Sequence, residues 1–434
     1  MTTGCGKTAM SGFECLRERG FFYQVTDETA LRQRLSEDTI TFYVGFDPTA
    51  DSLHIGHLLP IMAMRWLQKC GHRAIALVGA GTAMVGDPSG KTEARPILTA
   101  EEIEKNAACL KEQMARFLDF SDGRALLLNN ADWLADLKYI EFLRDIGRHF
   151  SVNRMLAAES VKQRLETGLS FLEFNYTLLQ AYDFYVLMRD HQCEFQFGGQ
   201  DQWGNIVAGV DLTRRMLGKE VFGATFPLLL KSDGQKFGKT ADGAVWLDPQ
   251  RTSPYQYYQF WRNVDDVDVG RLLAFFTELP MAEVKRLSEL RPPKINRAKE
   301  ILAYEATRLA HGSEEAARAY LAAGSEFGFA DPQGSIETSS EVQTVKAEAA
   351  EDELPTHTVS AADLEEGVWV VKLFADSGLC RSNGEARRLI RGGGAYINGD
   401  RVGDEQRQLG RDDLEDGRIL LRAGKKNLRR VVVD

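Results

Sequence analysis

Short apolar runs alternate with amphipathic stretches through the first half of the chain. Residues 40–46, Ile-Thr-Phe-Tyr-Val-Gly-Phe, make an unbroken run of strand length. A helical pattern begins near Gly56, after a loop through Asp47, Pro48 and Asp51. The unit then repeats: Ala74–Val78 predicts a second buried strand, Gly79–Gly90 a loop, and 100–117 a charged helix. Strand, loop and helix in succession predict parallel α/β winding, whose ligands collect at the carboxyl ends of the strands. From Tyr139 to Asp190 the period is helical, with an interruption near Gly168. Cys193–Phe197 reads again as a strand and leads into Gly198–Asn205. Residues 254–322 are helix-rich and punctuated by Pro254, Pro280 and the Pro292-Pro293 pair, which predicts a small α-domain.

Charge changes the picture toward the C-terminal end. Between Glu337 and Glu366 nine acidic residues stand against one basic residue, Lys346, as expected of a solvated linker. Residues 372–434 then hold 14 Lys and Arg against 10 Asp and Glu, within a chain whose net charge is −10. A locally basic module on an acidic chain is suited to a polyanion. The first twenty residues lack an apolar core followed by a small-residue cleavage site, so export is not expected. The apolar-leaning run 74–86 falls short of the roughly 20 residues of a membrane span, and no membrane association is expected. The six cysteines show neither a C-x-x-C pair nor zinc-site spacing. They read as reduced thiols in a cytoplasm, with no tightly held protein metal.

Candidate chemistry begins with two false leads. Gly86-Asp-Pro-Ser-Gly-Lys-Thr92 has Val85 where a phosphate-binding loop needs its leading glycine, and Gly4–Thr8 has Met1 there. The informative segment is Tyr43–His57, in which His54 and His57 share one face at a helix start. The free N–H groups of a helix N-terminus attract phosphate, and the two imidazoles add donors there. Farther on, Lys236-Phe-Gly-Lys239-Thr puts two cations on a glycine-containing loop. Tyr176, Gln180 and Asp183 fall at i, i+4 and i+7, on one helical face.

Together these segments carry a resemblance. His54-Ile-Gly-His57 matches the HIGH motif of class I aminoacyl-tRNA synthetases, and Lys236–Thr240 resembles their KMSKS loop in the form typical of the tyrosyl branch. Gly198-Gly-Gln-Asp-Gln-Trp-Gly-Asn205 is similar to that branch's GGxDQxxN loop. The tail from Leu379 to Val402 resembles an S4-type RNA-binding module, with Asn398-Gly399 predicting a type I′ hairpin.

The resemblance implies a Rossmann-like parallel-sheet catalytic domain over 1–250, including a helical insertion or dimer contact near 125–190. An α-helical tRNA-contacting domain at 251–330, an acidic linker at 331–366 and a small α+β S4-like domain at 367–434 would follow. It implies activation of L-tyrosine by ATP with Mg²⁺, transfer to tRNA(Tyr), a cytoplasmic location and a homodimer. By the same resemblance Thr49, His54, His57, Lys236 and Lys239 act on the phosphates. Tyr43 and Asp183 hold the substrate phenol, and Asp87, Tyr176 and Gln180 hold its ammonium, with Gln202 beside them. Gly45, Asp47, Gly199 and Asp201 would line the nucleotide, and Lys91 and Arg95 the pyrophosphate. Arg387, Arg388, Arg391, Lys425, Lys426 and Arg429 would meet RNA. Two departures stand out. Val44 replaces the cysteine of many relatives and Gln200 the usual serine, so the ribose contact is expected to differ. Alternatives are a tryptophan-activating relative, a non-catalytic RNA-binding derivative, and a nucleotidylyltransferase sharing only the histidine motif.

Overall fold

The computed structural model describes residues 10–87, 99–157, 161–162, 165–166, 168–230, 237–240, 243–345, 356–415, 417–424 and 427–433. The chain divides into two compact units, Met1–Val342 and Gln343–Asp434.

The first unit is built on a six-stranded sheet in the order β1-β6-β5-β2-β3-β4, with β1 (Gln24–Val25), β2 (Thr41–Phe46), β3 (Arg73–Val78), β4 (Ala125–Asn129), β5 (Cys193–Gly199) and β6 (Phe222–Phe226). Only β1 runs antiparallel. β2 and β3 are almost wholly buried, which is why they read as unbroken apolar runs rather than alternating ones. The chain winds outward from β2 through β3 to β4, then returns to place β5 on the other side of β2. That reversal opens a crevice at the carboxyl ends of β2 and β5, where ligands of such sheets bind.

The expected helix after β2 is Ile55–Lys69 and the charged helix is Ala100–Met114. The helical stretch resolves into Tyr139–Asp145, Val152–Ala157, Phe171–Phe174 and Tyr176–His191, with Gly168 at φ 96°. Exposed large apolar side chains gather there, among them Ile140 at 73% and Phe171 at 70% exposure. Helices Pro254–Arg262, Val269–Phe276, Met281–Ser288, Ile295–His311 and Ser313–Phe327 close the unit around buried Tyr257, Trp261 and Phe276.

The acidic stretch differs from a free linker at both ends. Residues 331–342 belong to the first unit: Asp331 accepts from the backbone of Ser335 and Ile336, Ser340 Oγ donates to Glu305 at 2.5 Å, and Val342 is buried. Ser340 and the Ser339 N–H and hydroxyl that bind Glu283 give these carboxylates internal partners, which a count of charge cannot reveal. Downstream, Thr356–Val359 is already a strand and Ala361–Glu366 a helix of the second unit.

That second unit holds a five-stranded sheet, β12-β11-β14-β15-β9, and a short β10-β13 pair. Its strands are β9 (Thr356–Val359), β10 (Val368–Trp369), β11 (Ala395–Ile397), β12 (Asp400–Arg401), β13 (Gln408–Leu409), β14 (Arg418–Ala423) and β15 (Asn427–Val433). Helices Val370–Asp376 and Asn383–Arg391 pack on a core that includes Phe374, Ile390, Leu421 and Val431. Asn398 and Gly399 both take positive φ, 49° and 89°, which is the two-residue I′ turn between β11 and β12. Among the described residues, no helix is long and apolar enough to cross a membrane.

Candidate active site

A cavity of about 480 Å³ opens at the carboxyl ends of β2 and β5. Tyr43, Gly45, Asp47 and Thr49 enter it from β2 and its loop, and His54 and His57 from the start of the Ile55–Lys69 helix. Asp87 enters from the loop beyond β3, and Tyr176, Gln180 and Asp183 from the Tyr176–His191 helix. Gly199, Asp201 and Gln202 come from the end of β5. All of these expected residues are therefore brought to one place. Lys91, Arg95 and Lys236, expected on the phosphate side, lie outside the described residues. The backbone of Lys239 is described and pairs with Ala244 between β7 (Lys239–Thr240) and β8 (Gly243–Ala244).

The two histidines form a reciprocal cap. Gly56 N donates to His54 Nδ1 at 3.0 Å, and His54 N donates to His57 Nδ1 at 3.2 Å. A neutral imidazole that accepts at Nδ1 carries its hydrogen on Nε2, so the cap leaves both Nε2–H groups as the ring donors. The rings stack at 4.0 Å. Gly56 is required for this arrangement, because a Cβ there would stand 2.7 Å from His54 Cε1. The loop of β7 and β8 closes against the same turn: Gly238, at φ 85°, lies on Ile55 where a Cβ would come within 3.2 Å. Donors, a helix N-terminus and a cation-bearing loop thus converge on the cavity from one side.

The opposite wall is a buried polar cluster. Asp183, 2% exposed, accepts from Asn130 Nδ2 at 3.0 Å and from Trp133 Nε1 at 2.8 Å. Burial nevertheless pushes its carboxyl up to about 7, against the downward pull of those two hydrogen bonds. Tyr43 is also buried, and its hydroxyl has no hydrogen-bond partner among the described residues. Burial, and then the Asp183 carboxylate, push its phenol well above the ordinary value. An orphaned hydroxyl beside a buried carboxylate is costly in an empty pocket and is satisfied by a polar group brought by a ligand.

Farther along, Asp87 accepts from Gln202 Nε2 at 2.6 Å, Gln202 Oε1 accepts from Asn205 at 3.2 Å, and Asn205 accepts from Thr177 at 2.8 Å. Gln202 therefore orients Asp87, a relation its place beside the amino-acid pocket alone did not specify. Val44, 3% exposed, lines the cavity without a polar side-chain atom.

Four side chains escaped the sequence reading. Asn130 donates to Thr82 Oγ1 and Asp183, each at 3.0 Å, and accepts from Gly81 N at 2.8 Å, so it is fully committed. Trp133 and Thr82 complete that network, and Gln196, on β5, turns an unpartnered Oε1 into the buried zone. A signal for Asn130 was present: Asn129-Asn130 ends the apolar run Ala125–Leu128, the strand end at which such sheets place ligands.

In the second unit, Arg387, Arg388 and Arg391 are exposed on the Asn383–Arg391 helix. Arg387 lies over the Trp369 ring at 5.2 Å. Two of the expected RNA-facing cations have internal partners: Arg391 makes a two-pronged pair with Glu405 at 2.9 and 2.8 Å, and Arg429 Nε donates to Ser377 O at 2.7 Å. Lys425 and Lys426 lie outside the described residues.

The sheet order and this cavity define the catalytic domain of a class I synthetase, and residues 35–328 match the family described as tRNA synthetases class I (W and Y). Residues 346–431 match the tyrosine–tRNA ligase SYY-like C-terminal domain. The chain belongs to the tyrosine–tRNA ligase family. It is 52% identical to the tyrosine–tRNA ligase of Desulfosudis oleivorans over 98% of this chain and 99% of that protein. It is also 52% identical to that of Desulfatibacillum aliphaticivorans, over the same shares. Among solved structures, a C-terminally truncated Aspergillus nidulans mitochondrial tyrosyl-tRNA synthetase superposes with a TM-score of 0.66 at 32% identity. The match covers 73% of this chain and 94% of that one.

Proposed function

We propose that this protein activates L-tyrosine with ATP, forming tyrosyl-adenylate and pyrophosphate, and then transfers the tyrosyl group to the 3′ end of tRNA(Tyr). The observation that carries the amino-acid choice is the partnerless Tyr43 hydroxyl beside the buried Asp183 carboxylate. A substrate phenol would donate to Asp183 and accept from Tyr43. Phenylalanine would leave the Tyr43 hydroxyl unpaired and bring Asp183 no phenol donor, and a site built for a hydroxyl rejects such an analogue strongly. Asp87, held by Gln202, takes the ammonium with Tyr176 and Gln180.

With tyrosine so placed, its carboxylate faces the α-phosphorus of an ATP lying between the histidine cap and the end of β5. Carboxylate oxygen attacks phosphorus, the bond to the bridging oxygen breaks, and pyrophosphate leaves with the electron pair. No covalent enzyme intermediate is needed; position and counter-charge carry the step. The Nε2–H groups of His54 and His57, with Thr49, donate to phosphate oxygens. Lys236 and Lys239, with Lys91 and Arg95, balance the departing pyrophosphate. Asp201, Gly45, Asp47 and Gly199 hold the nucleoside. Mg²⁺ belongs to the nucleotide's phosphates in this reading. In the second step a terminal ribose hydroxyl of the tRNA attacks the tyrosyl carbonyl and AMP departs.

The exposed apolar side chains between Tyr139 and Leu172 support a homodimer through that stretch. The exposed arginines of the second unit and the helices at 251–330 are read as tRNA contacts, and the cytoplasm, where ATP and tRNA are found, as the location. Tyrosine-dependent exchange of labelled pyrophosphate into ATP tests the central claim. Exchange with tyrosine but not phenylalanine or tryptophan is expected; equal exchange with tryptophan, or none, would overturn it.

A further inference from the structure

The segment that follows β8 is stitched to the turn that precedes the histidine helix. Ile55 N donates to Val245 O at 3.0 Å and Leu247 N to Leu53 O at 2.8 Å, with His54 and Trp246 opposite one another as an antiparallel bridge. Directly opposed residues of such a pair put their side chains on the same side. The His54 and Trp246 rings accordingly stand 5.8 Å apart at 65°. Trp246 is itself held: the Arg251 guanidinium lies 4.6 Å over its ring and is ion-paired with Asp51, three residues before His54. Its backbone N–H donates to Thr252 Oγ1 at 3.0 Å. From the other side, Gln113 Oε1 accepts from Leu53 N at 2.9 Å, and Asp248 N donates to Ser52 Oγ at 3.3 Å.

Among the described residues that line the cavity His54 is present and Trp246 is not, so Trp246 acts on a ligand through the imidazole. The Nδ1 cap holds one edge of that imidazole, and the His57 and Trp246 rings pack against it. We propose that Trp246, clamped by the Asp51–Arg251 pair, is a positioning residue that sets the His54 imidazole and links the lysine loop to it. This rests on the reading above, in which His54 meets the phosphates of ATP. The pair is partly exposed and contributes little to stability, so its effect belongs to geometry.

The test uses the full-length protein with Trp246→Ala, Trp246→Phe, Asp51→Asn, Arg251→Gln and the double variant of the pair. Misplacement of a reacting group by about 1 Å costs up to about 100-fold. Trp246→Ala is therefore expected to lower kcat of tyrosine-dependent exchange by about 10- to 100-fold with KM for tyrosine unchanged, and Trp246→Phe to restore most of it. The double variant should lose no more than either single variant, as for residues acting as one unit. Unchanged kcat in Trp246→Ala, or a tyrosine KM that rises as kcat falls in every variant, would overturn the proposal. The His54 imidazole cross-peak in NMR, assigned with His54→Asn, gives a readout independent of activity. It should move in Trp246→Phe, and an unmoved peak would also overturn the proposal. A wild-type protein without exchange would instead sink the functional reading, while the cross-peak still decides this one.

Discussion

Asn130, at the end of β4, donates to Asp183 Oδ2 at 3.0 Å across a sequence separation of 53 residues. It thereby holds part of a negative charge inside the pocket, since burial alone would push that carboxyl still higher than its value of about 7. Replacing Asn130 with Ala removes one hydrogen bond to a charged group, worth about 1.5–3 kcal/mol. Tyrosine affinity near neutral pH should weaken by roughly tenfold or more, with Trp133 and the fold intact. Equilibrium dialysis decides it; an unchanged dissociation constant would show that Asn130 is a bystander.

The same carboxyl sets a pH dependence. Its folded-state pKa of about 7 lies above the usual value near 3.9 of an exposed aspartate. The associated stability of the ligand-free protein is fully present below about pH 4 and is lost as pH rises through about 7. Binding follows the opposite sense, because the ionised form accepts from a phenol. The tyrosine dissociation constant should rise as pH falls through about 7 and level off only well above it, and Asp183→Asn should abolish the slope. A flat wild-type profile from pH 5.5 to 8 would remove Asp183 from the phenol contact.

His54 serves both as helix cap and as phosphate donor, and the two roles can be separated. His54→Asn keeps an N-cap acceptor, while His54→Ala loses one at a cost of about 1 kcal/mol. Both variants should lower the rate of adenylate formation sharply with tyrosine affinity kept, and only His54→Ala should lower the melting temperature. Full activity in His54→Asn would show that the cap is the whole of its function.

Removing residues 343–434, the second compact unit, should leave pyrophosphate exchange nearly intact and strongly reduce tRNA charging. The charging that remains should show a weaker dependence on salt, because fewer phosphates are neutralised. Equal loss of both activities in a folded truncation would contradict this division.

Phe171 exposes 70% of its surface in a region crowded with other exposed apolar residues. Phe171→Glu should change the stability of the folded subunit by no more than about 0.5 kcal/mol while converting a dimer to a monomer in sedimentation. A wild-type monomer at micromolar concentration would end the dimer reading.

Periodicity made β2, β3, β5 and the helix after β2 readable, because buried parallel strands are unbroken apolar runs and the histidine turn has a cap-like spacing. The cavity-lining set came through as residues, and their convergence follows from the β5-β2-β3-β4 order, which local pattern does not encode. Asn130 and Trp133 were missed for that reason: each owes its role to Asp183, far along the chain, while Gln196 reaches the cavity only through the place of β5 in the sheet. The acidic stretch misled because Asp331, bound by the backbone of Ser335 and Ile336, looks the same in sequence as a carboxylate in water, and because the hydroxyls of Thr338 and Ser339 tie the chain to Glu283 of an earlier helix. Basic composition likewise does not reveal partners within the second unit, such as Glu405 for Arg391 and Ser377 for Arg429.

The bridge between His54 and Trp246 also restricts how this hairpin can vary in length. Side chains along an extended segment alternate sides, so one residue inserted between Gly243 and Trp246 would turn the indole away from the imidazole while most backbone bonds could re-form. An even-numbered insertion on that arm would keep the indole on the imidazole's side. Loop grafts between relatives should therefore succeed or fail according to parity rather than size.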